Sequence, residues 1–133
     1  MRNPALELAK QWLEKAGHDL ITAQAVLALS GGPTDTPCFH AQQAVEKALK
    51  ALLTTRKVRF EKVHDLMTHF DAALAQMPEL REYREQVASL ADYAVQVRYP
   101  GDIEDPSRQD AETAVAIAAY VVERIAVAIR NPK

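Results

Sequence analysis

Residues 36–55, TPCFHAQQAVEKALKALLTT, have the periodicity of one amphipathic helix. Thr36 suits the N-cap and Pro37 the first helical position, which predicts a helix from about Pro37 to Thr55. At 100° per residue, one arc of this helix is apolar and contains Ala41, Ala44, Val45, Ala48 and Leu52. A second arc, about 80° wide, is polar and contains His40, Gln43, Lys47 and Lys50. One face is therefore expected to pack, and the other to carry aligned polar groups.

Segments with a similar hydrophobic periodicity lie on both sides of this helix in the sequence. A first helix is predicted from about Ala5 to Leu29, ended by SGGP at residues 30–33. A basic connector, residues 56–63, leads to a shorter helix from about His64 to Met77. Pro78 separates it from a fourth helix, about Glu79 to Val97, and a turn at residues 98–102 follows. The last helix, capped by Ser107 or Asp105, is expected to continue to about Arg130.

Composition favours the same architecture. The 133 residues are 48% hydrophobic, with aromatics at only 6% and four glycines, and Ala, Leu and Val are the dominant apolar residues. Ala and Leu favour helices, while scarce glycine leaves few turns for a many-stranded sheet. We therefore predict a single domain, residues 1–133, with an all-α fold: an antiparallel, up-and-down bundle of four or five helices.

Charge and cysteine content narrow the function classes. The net charge of −2 does not attract a polyanion globally, so nucleic-acid binding would need a local basic patch. The single cysteine, Cys38, is expected to be a small core residue. The opening residues do not resemble a signal peptide, and the longest apolar run, residues 114–122, is too short to cross a bilayer. A cytoplasmic protein is expected.

Several polar groups could bind a ligand, each with an ordinary structural alternative. The stripe of His40, Gln43, Lys47 and Lys50 is either a solvated helix face or a face turned to a ligand. The basic connector, which contains Phe60, could hold a phosphate beside a stacked base or could simply solvate one end of the bundle.

Two later segments could likewise either bind a ligand or have an ordinary structural role. Asp65, after His64, could cap a helix. His64 and His69 are five residues apart, whereas metal-binding histidine pairs on one helix face are usually four apart, so a metal site is not expected. Arg98 and Tyr99 precede a Pro-Gly break, with Tyr93 nearby on the same predicted helix. Arg98 could hold a phosphate with two hydrogen bonds or could stabilise the end of the helix dipole. Standard phosphate-loop, nucleophile-elbow and dinucleotide motifs are absent from the sequence.

Four motifs together resemble one known family. Residues 12–20, WLEKAGHDL, with Ala23, resemble the first helix of HEPN domains, and residues 39–53, FHAQQAVEKALKALL, closely resemble their second helix. Residues 64–66, HDL, and residues 93–100, YAVQVRYP, match two later signatures in the same order. On this basis the chain is identified as a member of the HEPN family, of the type partnered with minimal nucleotidyltransferases.

The resemblance implies a helical bundle, usually a homodimer, in the prokaryotic cytosol. HEPN domains are described as nucleotide-binding, and many pair with a minimal nucleotidyltransferase in toxin–antitoxin systems. The resemblance implies neither a cofactor nor a metal. Residues expected to bind a nucleotide or RNA phosphate are His40, Gln43, Lys47, Lys50, His64, Asp65, Tyr93, Arg98 and Tyr99. The helix stripe and the Arg98–Tyr99 pair are expected to form one polar groove.

The ribonuclease branch of this family has an Arg followed, after four to six residues, by His. Counting from Arg98, those positions hold Ile103, Glu104 and Asp105. Isoleucine cannot transfer a proton, and carboxylates would repel the phosphate. A non-catalytic binding domain is therefore the leading hypothesis. The alternatives are a metal-independent ribonuclease toxin, using Arg98 with a histidine from elsewhere, and a structural dimeric scaffold.

Overall fold

A computed structural model of the chain describes residues 3–60, 62, 65–94 and 104–131. These residues form five α-helices: α1 (Pro4–Leu27), α2 (Asp35–Thr55), α3 (Leu66–Gln76), α4 (Arg84–Leu90) and α5 (Arg108–Arg130). Two 3₁₀ segments, Pro78–Tyr83 and Ala91–Tyr93, flank α4. No β-strand occurs within the described ranges. The predicted all-α bundle of antiparallel helices is confirmed.

Helix α2 lies at the centre of the fold and packs against α1, α3 and α5. Most of its residues are buried, including charged and amide side chains at Gln42, Glu46 and Lys50. Of the predicted polar stripe, Lys50 is buried, whereas His40, Gln43 and Lys47 are half-buried. His40, Lys47 and Lys50 of this stripe contact side chains of α1.

The ends of α1 and α2 differ slightly from the predicted bounds. Helix α1 ends at Leu27, and the turn after it includes Gly31 at φ 72°, a left-handed conformation that glycine adopts without strain. Helix α2 begins at Asp35, two residues before the predicted start, so Thr36 is not its N-cap. The Asp35 carboxylate accepts the backbone N–H of Thr36 at 2.9 Å, which satisfies an amide of the first turn.

The predicted long fourth helix is wrong over its described part. Residues 78–93 form 3₁₀, α and 3₁₀ segments in succession rather than one α-helix. Leu80, Val87 and Leu90 are nevertheless buried, as their spacing predicted. Packing of these side chains on α2, α3 and α5 sets the path of the backbone, and that packing outweighs the local helix preference.

Helix α5 begins directly after Ser107, one of the two predicted N-cap residues. The Ser107 hydroxyl accepts the backbone N–H of Asp110 at 3.0 Å, and the Asp110 carboxylate accepts the N–H of Ser107 at 3.1 Å. This reciprocal pair is a capping box, so Ser107 rather than Asp105 is the N-cap. The apolar run at residues 114–122 is only partly buried, because Ala116 and Tyr120 are exposed.

Candidate functional site

The central polar cluster of the fold joins α1 to α2 through Asp19. One carboxylate oxygen of Asp19 lies 2.8 Å from Nδ1 of His40, and the other accepts Lys47 Nζ at 2.5 Å. The Asp19 side chain is 11% exposed, against 22% for His40 and 25% for Lys47. Two members of the predicted stripe are thus brought together by a buried carboxylate, with their outer edges still reachable from solvent.

The contact with Asp19 also orients the His40 ring. An ionised carboxylate only accepts hydrogen bonds, so the Nδ1 atom of His40 carries the hydrogen in this contact. Nε2 is then an acceptor in the neutral ring and a donor in the protonated ring. The Phe39 ring stands edge-on to His40 at a centroid distance of 5.3 Å. The tautomer and the position of this histidine are therefore both fixed by neighbours.

The other two stripe residues have partners within α2. Lys50 Nζ donates to Glu46 at 3.3 Å and lies 5.2 Å from the centre of the Trp12 ring of α1. Gln43 donates from its side-chain amide to Gln42 at 2.7 Å. Glu46 is 1% exposed and Lys50 is 8% exposed, so this pair is more deeply buried than the Asp19 cluster. The stripe is a partly buried seam between two helices, not a row of exposed donors.

Of the other predicted site residues, Asp65 has a structural role at the start of α3. Asp65 is the N-cap of α3 and accepts the backbone N–H of Met67 at 3.2 Å and the hydroxyl of Thr68 at 2.8 Å. The Thr68 hydrogen bond is the largest of the effects that lower the pKa of Asp65 below its ordinary value. His64, Arg98 and Tyr99 lie outside the described residues, as do the turn after Arg98 and Ile103.

Tyr93 is not part of the polar seam. Burial, followed by interactions with Cys38, raises the pKa of Tyr93 above its ordinary value. Cys38 is fully buried, as expected for a core residue, and its position is about 200° around α2 from that of His40. Tyr93 therefore approaches the opposite side of α2 from the residues held by Asp19.

Two residues of this region were not among the predicted site residues. Asp19 interrupts the run of buried alanines Ala16 and Ala23 on one face of α1. A carboxylate at an apolar position requires a partner, and that signal was present in the sequence. Trp12, the only tryptophan, lies over the Lys50 ammonium, but sequence spacing alone does not show that contact.

Two negative findings apply to the described residues alone. No three His, Cys, Asp or Glu side chains among them are grouped closely enough to hold a metal ion. None of the described helices combines the length and the apolar character needed to cross a membrane.

The chain is a small all-helical domain whose central helix, α2, is joined to α1 by partly buried ion pairs. The sequence model of the HEPN domain matches residues 9–128, and the chain belongs to the HEPN domain family. It is 27% identical over 135 residues to a Methanocaldococcus jannaschii protein named as a candidate toxin, MJ1304, covering 90% of this chain and 87% of the relative.

Two solved structures share the architecture. The crystal structure of TT1696 from Thermus thermophilus superposes with a TM-score of 0.70 at 30% identity, covering 90% of this chain and 96% of the other. The crystal structure of ST0689, described as an archaeal HEPN homologue, gives a TM-score of 0.66 at 22% identity, with coverages of 91% and 97%. The second likeness shows the fold alone.

Proposed function

We propose that the chain is a non-catalytic HEPN domain that binds a nucleotide or RNA phosphate at the edge of the α1–α2 seam. The observation that carries the proposal is the His40–Asp19–Lys47 cluster. Its aspartate is nearly buried, while its two nitrogen-bearing groups remain partly exposed. An ammonium has three N–H donors, and the contact with Asp19 uses one of them. A phosphate oxygen could therefore be received without breaking the interhelical ion pair.

The biological setting proposed for this binding is a toxin–antitoxin pair in the cytoplasm, with a minimal nucleotidyltransferase as partner. Family membership and the name of the Methanocaldococcus relative support a toxin-like role, and the nucleotidyltransferase partner is proposed from the resemblance of the sequence motifs. A reading frame for a small nucleotidyltransferase beside the gene would support it further. Arg98, Tyr99 and His64 are proposed to complete the binding surface.

We also propose that the chain forms a homodimer through an exposed apolar patch on α5. Tyr120 is 56% exposed and its ring centre lies 5.4 Å from that of Tyr83. A hydrogen bond with Tyr120 is the main cause that raises the pKa of Tyr83 above its ordinary value. Ala116 and Ile117 border the same shallow pocket of about 290 Å³. Tyrosine is enriched at the cores of protein interfaces, which supports an interface centred on Tyr120.

One observation favours a second candidate function, a metal-independent ribonuclease. A carboxylate that holds one ring nitrogen of a histidine leaves the other nitrogen as an oriented proton acceptor. His40 could then act on a ribose hydroxyl, with Arg98 stabilising the phosphate charge. The two functions differ in one measurable outcome, which is whether bound RNA is cut.

The binding proposal is tested by titrating a fluorescent adenine nucleotide against the wild type and two variants, Lys47→Ala and Arg98→Ala. Each variant should lower the affinity about tenfold, as expected for loss of one charge-assisted contact with phosphate. Lys10→Ala is the matched control, because Lys10 is exposed on the opposite side of α1 from Asp19. Equal affinity in all four proteins would reject the proposed site.

A further inference from the structure

A second concave surface lies at the other end of the seam, between the first turns of α1 and the connector after α2. It encloses about 810 Å³. Leu8 and Trp12 line it from α1, and Val58 and Phe60 line it from the connector, so its wall is mainly apolar. Leu8 is 48% exposed, although it is a large apolar side chain in a regular helix. The groove is therefore open to a ligand and offers that ligand a hydrophobic surface.

The aromatic rings of the groove contact each other and the buried His69 ring. Phe60 stands edge-on to Trp12 with ring centres 6.5 Å apart, and edge-on to His69 at 5.6 Å. His69 is 1% exposed and belongs to the core side of α3. Because each ring is fixed by a neighbour, the apolar wall is preformed and would lose little entropy on binding.

The rim of the groove is positive. Lys57, Arg59 and Lys62 line it and are exposed. None of the described residues that line the groove is acidic. Lys50 also reaches it, but its ammonium is held by Glu46 and lies over the Trp12 ring. Together, Lys57, Arg59 and Lys62 provide a local attraction for anions, despite the net negative charge of the chain.

The backbone places one of these cations with some strain. Lys57 has φ 58°, the left-handed conformation that glycine usually provides at the end of a helix. The N–H groups of Lys57 and Val58 donate to the carbonyls of Thr54 and Leu53, which completes a Schellman motif. A lysine at this position costs conformational energy that a glycine would avoid. Strain of this kind is often found where a side chain has a function.

We propose that this groove binds an amphiphilic organic anion, with its apolar body against Trp12 and Phe60 and its carboxylate, sulfonate or phosphate head at Lys57, Arg59 and Lys62. The volume falls within the range of about 300–1,000 Å³ typical of small-ligand sites. Apart from the cations and the Trp12 ring, Thr54 is the one described lining residue with a polar side-chain group. A nucleobase would bury polar edges there without partners, whereas an aliphatic or aromatic body would not.

The small size of the groove also disfavours a helical protein segment as its ligand. The part of α1 that lines it, from Pro4 to Trp12, rises only about 12 Å. A partner helix lying on so short a surface would bury much less than the area of about 1,600 Å² of a stable protein interface. This inference does not depend on the phosphate site proposed at His40 and Lys47.

Trp12 makes the proposal directly testable, because it is the sole tryptophan of the chain and lines the groove. The probes are 1-anilinonaphthalene-8-sulfonate and its uncharged counterpart N-phenyl-1-naphthylamine, with binding read from energy transfer between Trp12 and the dye. The sulfonate should bind saturably at one site per chain and about tenfold more tightly than the uncharged dye. Added salt should reduce that difference.

Matched variants separate the two parts of the site. Leu8→Glu should abolish sulfonate binding, whereas Ile21→Glu should not, because Ile21 is 64% exposed elsewhere on the same helix. Lys57→Gly should raise the thermal midpoint of unfolding and yet weaken sulfonate binding. A variant that is more stable than the wild type and yet binds the dye more weakly cannot owe its weaker binding to misfolding.

Three outcomes would overturn the proposal. The first is equal binding of the two dyes, and the second is sulfonate binding that survives Leu8→Glu. The third is that AMP or an acidic amphipathic peptide changes the Trp12 fluorescence while the sulfonate dye does not. The last result would assign the groove to a nucleotide or to a protein segment.

Discussion

Asp19 joins α1 to α2 through two polar side-chain contacts. It contacts His40 and Lys47, which are 21 and 28 positions away in sequence. The helical stripe of His40, Gln43, Lys47 and Lys50 could be predicted from spacing, since spacing alone defines an arc. The partner of that stripe could not, because the rotation of α1 against α2 depends on packing across the whole interface.

The Asp19 cluster should contribute measurably to stability. Asp19→Asn removes the negative charge with little change of shape and leaves the Lys47 ammonium partly buried beside a neutral group. We expect a loss of roughly 1–3 kcal/mol, below the usual figure for a fully buried pair because Lys47 is partly exposed. Urea unfolding of the wild type and the variant measures it.

A double-mutant cycle provides the control for that measurement. Lys47→Met keeps the aliphatic stem. The total loss of stability in the double variant Asp19→Asn/Lys47→Met should be much smaller than the sum of the losses in the two single variants. Strictly additive losses would show that the two side chains do not interact in solution.

At the scale of helices, the ends with strong capping residues were predictable and the segment without them was not. Ser107 and Asp65 accept first-turn amides, so α5 and α3 begin next to them. Residues 78–93 have no side-chain cap at the start of any of their three segments. Their path depends on where Leu80 and Leu90 pack, and that information is tertiary.

The cap of α3 predicts a dependence of stability on pH. The Thr68 hydroxyl, with smaller contributions from backbone N–H groups, lowers the pKa of Asp65 below 3.8. A depressed folded-state pKa means that the ionised carboxylate stabilises the fold above about 3.8. That contribution is lost as the pH falls through the lower, folded-state value.

Asp65→Ala should therefore be less stable than the wild type near neutral pH, with a gap that narrows on acidification below about 3.8. Urea midpoints measured across that range provide the test. Thr68→Val, which removes the hydroxyl and keeps the side-chain shape, should reproduce part of the effect. A gap of constant size at every pH would contradict this account of the cap.

At the scale of the whole molecule, the α5 patch predicts self-association. Wild-type chain should sediment as a dimer at high micromolar concentration, burying about 1,600 Å² if the interface is of ordinary size. Tyr120→Glu should produce monomers, because it places a charge inside an apolar contact. Leu29→Glu is the matched control, since both side chains are 56% exposed. A wild-type monomer at that concentration would contradict an interface at this patch.

The central claim, binding of RNA phosphate without cleavage, is tested most directly in a single sample. A fluorescently labelled single-stranded RNA is titrated with the wild type, Lys47→Ala and His40→Ala, and anisotropy is recorded. The same samples are then run on a denaturing gel. We predict saturable binding by the wild type, weaker binding by Lys47→Ala, and intact RNA in every lane. RNA cut by the wild type and left whole by His40→Ala would contradict the claim and identify His40 as a catalytic residue.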